Sequence, residues 1–188
     1  GREAGGVNAG EPQEAAAPPT PQGAGAAQGS GATPTRAATL RLMSDYREIS
    51  TDAPCGISAA LLDDEDLYKW RACLHGPDET AWEGGIYTLL LTFDGTYPEC
   101  PPRVRFMCDM YHPNIYTDGH VCMDVMKNMW KPIYTASMIL SSIQSLLTDP
   151  NVDSPANPEA AEMLSKDPKQ YRRRVRRCAE RSLETSLL

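Results

Sequence analysis

The residues able to do chemistry concentrate in "HPNIYTDGHVCMDV", His112 to Val125. Cys122 follows a Thr-Asp-Gly turn and stands eight residues after Asn114. Three kinds of chemistry fit that cysteine. It can be a small apolar core residue, since free cysteine is among the most buried residue types. It can be a metal ligand, with Cys108, His112 and His120, although the spacing C-x3-H-x7-H-x-C lacks the compact ligand pairs of structural zinc sites. It can be a covalent catalyst, because a partly exposed thiolate is nucleophilic. An acyl-transfer site also needs a donor aimed at the developing oxyanion, and the side-chain amide of Asn114 can supply one. His120 would share a face with Cys122 in a strand-like segment, which suggests a general base; a solvated loop histidine is the plainer reading.

These residues need elements to hold them. Leu42, Tyr46 and Ile49 recur at i, i+4, i+7 and predict an amphipathic helix that Asp52 and Pro54 end. "LYKWRACLHG" and "IYTLLLTF" alternate, placing Tyr68, Trp70, Ala72 and Leu74 on one face and Tyr87, Leu89, Leu91 and Phe93 on another. "RVRFM" does the same with Val104 and Phe106. Gly-rich turns between them suit an antiparallel meander. A long irregular stretch, about 108–134, follows; its large apolar residues predict that it is ordered. "TASMILSSIQSLL" reads as a helix capped by Thr135, with Ala136, Ile139, Ile143, Leu146 and Leu147 as its apolar stripe. Pro158 and Pro168 each suit a first helical position, so two more helices close the chain. Strands first and helices later give an α+β domain with one sheet face covered.

Residues 1–35 are mostly Gly, Ala, Pro, Gln, Ser and Thr with no aromatic residue, which predicts a disordered tail ahead of a domain over 36–188. Residues 37–165 carry 8 basic and 19 acidic side chains, a net of −11, whereas 166–188 carry 8 and 3, a net of +5. An acidic body speaks against direct nucleic-acid binding by it. With no apolar run near the roughly 20 residues a bilayer requires and no signal-peptide pattern, the six cysteines read as reduced thiols in a cytoplasmic or nuclear protein.

The spacing of "HPN", the cysteine and a following "W-x-P" resembles that of the ubiquitin-conjugating enzymes. "YPECPP" is similar to the family's Tyr-Pro-x-x-Pro-Pro segment, and "SLLTDPNVDSPAN" to the segment that folds over the site. The likeness spans about 37–185 and is nearest to the DNA-repair and histone-ubiquitinating subgroup. It implies an N-terminal helix, a four-stranded antiparallel meander and three further helices. It implies that Cys122 accepts ubiquitin as a thioester from a ubiquitin-activating enzyme and passes it to a substrate lysine with a ubiquitin ligase, needing no cofactor or metal. Asn114 would then donate to the oxyanion or brace the loop, with His112 and Pro113 structural and His120 a modulator at a position where a small hydroxyl is expected. Ser154, with Asp153, would stand at the active-site gate.

The resemblance also implies surfaces: Arg41, Pro98, Glu99, Pro132 and Ile133 for the ligase, Ser141, Ser142 and Ser145 for docked ubiquitin, and a cis Tyr97–Pro98 bond. Two alternatives keep the same fold: an enzyme for another ubiquitin-like modifier, and a non-catalytic ubiquitin-binding module, against which Cys122 argues. "RRRVRR", Arg172 to Arg177, reads as a solvated helix face, a dock for an acidic partner or a nuclear-targeting signal.

Overall fold

A computed structural model describes Gly1 and residues 32–186. The expected tail therefore lies outside the described residues except for Gly1 and 32–35. Those last four are seated on a turn: Gly95 N–H donates to Ala32 O at 3.0 Å, and Thr35 Oγ1 donates to Gly95 O at 3.2 Å.

Thr35 caps the first helix, α1 (Arg36–Thr51), by accepting from Ala38 N. Its inward stripe is Ala38, Leu42, Asp45 and Ile49, with Tyr46 half-buried beside it. Four strands follow, β1 (Ile57–Leu61), β2 (Lys69–His75), β3 (Ile86–Thr92) and β4 (Arg103–Phe106), paired antiparallel in chain order as the alternation predicts. The register sets Trp70 opposite Leu91 and Ala72 opposite Leu89. Leu91 faces Val104 and Leu89 faces Phe106 in turn, so one sheet face is a continuous apolar surface. The other face carries Lys69, Arg71, Arg103 and Arg105 into solvent.

The stretch expected to be irregular contains a short helix, α2 (Met123–Met129). Its Asp124 in the first turn and Lys127 in the last match the helix dipole. With no side-chain cap and only seven residues, it gives little periodic signal.

Helix α3 (Ala136–Thr148) buries the predicted stripe, together with Leu140 and Ser137. Thr135 holds the N-cap position but does not cap: its Oγ1 donates to Glu48 Oε1 at 2.9 Å. The orphan Ala136 N–H is instead taken by Asp45 Oδ2 of α1 at 3.2 Å. Helices α4 (Pro158–Lys166) and α5 (Pro168–Ser186) begin at the expected prolines. α5 packs on β3 and α4, burying Tyr171, Val175, Cys178 and Ala179, and Ser182 Oγ receives Ile86 N–H at 3.0 Å. No helix among the described residues is long and apolar enough to cross a membrane.

Candidate active site

The segment around Cys122 is a tight hairpin laid along β4. Cys122 N–H donates to Asn114 O at 2.9 Å, Ile115 bridges Val121, and Tyr116 N–H donates to His120 O at 2.9 Å. Gly119 closes the turn at φ 90°, and a Cβ there would fall 2.2 Å from Phe106 O, so glycine is required by both conformation and space. Val121 N–H to Val104 O and Phe106 N–H to Gly119 O join the hairpin to the sheet. Cys122 then ends the hairpin and starts α2, its carbonyl accepting Met126 N–H at 3.0 Å. The nucleophile candidate thus stands between two hydrogen-bonded elements, recessed, with 6% of the residue exposed.

The hairpin register places Tyr116 diagonally across from Cys122 on the same face, within reach of a long side chain. The Tyr116 hydroxyl pKa is raised, first by negative charge on the nearby Cys122 and then by burial. Tyr116 itself is 45% exposed. Sequence reading missed this residue. The Asp-Gly turn carried the signal, because pairing 114 with 122 forces 116 opposite 120.

Asn114 is fully buried and engaged at both ends of its amide. Nδ2 donates to Asn151 O at 2.5 Å, and Oδ1 accepts Asn151 N–H at 2.8 Å. Of the two roles expected for it, bracing is the one present in this geometry. The braced segment is the one carrying Asp153 and Ser154, and Asp153 N–H in turn donates to Asn151 Oδ1 at 3.0 Å. Asp153 and Ser154 are both exposed.

His112 lies beneath, fully buried, and its two ring nitrogens are committed. Nδ1 accepts Asn114 N–H at 3.0 Å, so Nε2 carries the proton toward Leu146 O at 2.8 Å. Burial depresses its pKa to about 4 and keeps the ring neutral. Pro113 O accepts Asn157 N–H at 3.0 Å, tying the same loop to the start of α4. The alternative zinc set would need His112, which has no free nitrogen. Among the described residues no three His, Cys, Asp or Glu side chains are grouped to hold a metal. Cys108 is buried, its thiol pushed up to about 11 by burial. His120 is exposed and its Nδ1 pairs with Asp118 Oδ2 at 3.0 Å, so its ring is engaged by the turn's carboxylate.

The other expected site residues occupy two further surfaces. Ser141 and Ser142 are half-buried and Ser145 exposed along α3, each hydroxyl donating to the carbonyl four residues back. Pro98, after the cis Tyr97–Pro98 bond, accepts Trp130 Nε1–H on its carbonyl at 2.9 Å, which makes Trp130 a buried strut between two loops. Glu99 and Pro132 are exposed, and Ile133 is 78% exposed. Arg41 is a clip more than a free contact: Nε meets Asp45 Oδ1 at 2.9 Å, and its two terminal nitrogens reach Pro132 O at 3.0 Å and Tyr134 O at 2.5 Å. It holds the Ile133 loop against α1, whose Leu40 and Met43 are exposed.

Residues 41–179 match the profile of a family described as ubiquitin-conjugating enzyme. The chain is 47% identical over 148 residues to "Ubiquitin-conjugating enzyme E2 3" of Arabidopsis thaliana, covering 79% of this chain and 98% of the relative. It is 47% identical over 145 residues to "Ubiquitin-conjugating enzyme E2 2" of Debaryomyces hansenii, covering 77% and 86%. With the Candida albicans protein of that name it shares 46% over 150 residues, covering 80% and 82%.

Proposed function

The chain belongs to the ubiquitin-conjugating enzymes, and from that premise we propose that Cys122 is the residue that carries the ubiquitin thioester. The relatives' names speak for ubiquitin conjugation over another modifier or a non-catalytic module, and are consistent with the subgroup named above. Family membership implies dealings with ubiquitin, its activating enzyme and ligases. Cys122 as the acceptor is supported by one observation: it lies at a hairpin–helix junction, on the hairpin face that also carries Tyr116, with its N–H bonded to Asn114, whose side chain holds the 151–154 segment.

The reaction divides into two acyl transfers. The Cys122 thiolate attacks the thioester carbonyl of ubiquitin on the activating enzyme, and that enzyme's thiolate leaves. A substrate amine then attacks the new thioester, loses its proton, and Cys122 leaves as thiolate. Both steps place negative charge on the sulfur and on the carbonyl oxygen. Tyr116 shares the hairpin face with Cys122 and would offer a hydroxyl toward the sulfur. Asn114 fixes the 151–154 segment, and its second Nδ2 hydrogen is the one available to an oxyanion. Ser154 occupies the gate position, and Ser141, Ser142 and Ser145 give α3 a face of small residues for the carried ubiquitin. Leu40, Met43, Glu99, Pro132 and Ile133 form the exposed rim for a ligase.

The deciding experiment is charging with ubiquitin, activating enzyme and ATP, read on gels with and without reductant. Cys122→Ala is expected to give no reducible adduct and Cys122→Ser at most a reductant-stable ester. A reducible adduct persisting in Cys122→Ala would transfer the role to another of the six cysteines.

A further inference from the structure

The basic side chains of α5 divide into two sets. Arg174 pairs with Glu159 and lies over the Tyr111 ring at 4.3 Å, and Arg181 reaches Asp109 at 3.2 Å. These two tie the helix to the body. Lys169, Arg172, Arg173, Arg176 and Arg177 do not: among the described residues none has an ion-pair partner. They recur at i, i+3, i+4, i+7 and i+8, so they form one stripe along the helix. Several are like-charge neighbours three or four apart, an arrangement that weakens a helix. The fold gains nothing visible from keeping them together.

The stripe lines an open groove of about 740 Å³. Its opposite wall is the turn before β3, where Glu79 is a non-glycine residue at φ 59°. That costly backbone is held by Glu79 N–H to Glu83 Oε2 at 3.0 Å and by Thr80 Oγ1 to Pro77 O at 2.6 Å. An ordered wall faces a row of cations that form no ion pair among the described residues.

We propose that this groove docks an acidic segment of a protein partner in extended form. The row spans about 12 Å at the helical rise, which matches about four extended residues. Glu79, Glu83 and Glu180 also border the groove. A uniformly charged nucleic-acid backbone would meet those carboxylates and the strongly acidic body, whereas a short peptide can set its acids against the arginines alone. The surface is distinct from the Cys122 site and from the α1 rim, so an acidic client or ligase segment could bind during conjugation.

Fluorescence anisotropy of the full chain with a short fluorescein-labelled peptide of Asp and Glu tests this. Binding is expected, falling as salt rises and about tenfold weaker in Arg172→Glu/Arg176→Glu. The control Arg47→Glu/Arg71→Glu makes the same change in net charge elsewhere and is expected to bind nearly as the parent. The milder Arg172→Gln/Arg176→Gln gives a smaller loss in the same direction even if charge reversal disturbs the helix. Absence of peptide binding, or equal losses in the two reversal variants, overturns the proposal. So does tighter binding of a labelled DNA duplex through the same arginines, or a concentration-dependent oligomer that the Arg172/Arg176 variant dissolves, since the occupant is then DNA or a second copy.

Discussion

Asn114 grips the backbone of Asn151 at both ends, donating to its carbonyl at 2.5 Å and accepting its amide at 2.8 Å. The contact joins residues 37 apart and ties the 151–154 segment to the hairpin that carries Cys122. Removing the clamp leaves two backbone groups to find water, a loss of about 2–3 kcal/mol for a buried pair of hydrogen bonds. Asn114→Ala is therefore expected to lower stability by that amount, read by denaturant melts. Asn151→Ala keeps the clamp, because Asn114 touches only its backbone, and loses the single bond to Asp153 N–H. In single-turnover assays Asn114→Ala should charge but discharge slowly, while Asn151→Ala stays close to the parent. Equal discharge by both would remove the clamp from catalysis.

Asp45 is the second long-range tie. Buried at 2% exposure, it accepts from Arg41 Nε, the Tyr97 hydroxyl and Ala136 N–H. Asp45→Ala strands a buried helix-start amide and leaves Arg41 without its carboxylate, an expected loss of about 3–5 kcal/mol. Tyr97→Phe removes one bond and is expected to lose about 1 kcal/mol. Thermal or urea melts give the ranking, which collapses to equal losses if the Asp45 carboxylate contributes no more than the one bond from Tyr97.

His112 makes stability depend on pH in one direction. Its folded pKa, about 4, lies below the ordinary 6.5 because burial disfavours the charged ring. The unfolded chain thus binds the extra proton first, so stability rises with pH through this window. The contribution is fully present above about 6.5 and is lost as pH falls toward 4. It amounts to on the order of 3 kcal/mol. His112→Gln should be less stable at neutral pH and show a flatter slope of unfolding free energy against pH between those limits. An unchanged slope would mean that His112 titrates normally in the folded state.

What the sequence revealed follows from what is local. The strands were legible because Trp70, Ala72 and Leu74 alternate with exposed neighbours, and α3 because its apolar residues keep helical spacing. The hidden features depend on distant partners. An acid at Asp45 looks like a solvated residue until Tyr97 and Ala136, 52 and 91 positions away, close on it. Thr135 has the right type to cap α3, yet Glu48 takes its hydroxyl. Helix α2 is too short to show a period. At the site, the motif spacing singled out Cys122 and Asn114, but Tyr116 became visible only once the hairpin register was known.

Ser154 offers the sharpest test of the gate. It is exposed, one residue beyond the Asp153 amide that Asn151 holds, so the Asn114 clamp sets its position indirectly. A lysine amine has a free pKa of about 10.4 and must lose a proton before it attacks at neutral pH. A neutral serine is a poor base for that proton. Unassisted transfer should therefore be slow. A carboxylate at 154 would favour an ordered amine and accept its proton. A phosphate on Ser154, which Pro155 follows, would bring about −1.5 to −2 charges to the same place. Ser154→Asp is expected to discharge the pre-formed Cys122 thioester to free lysine severalfold faster than the parent, with Ser154→Ala close to it. The advantage should shrink as pH rises toward the lysine's own pKa, because the amine then deprotonates unaided. An aspartate variant that is equal or slower near neutral pH leaves Ser154 as a turn residue with no part in the transfer.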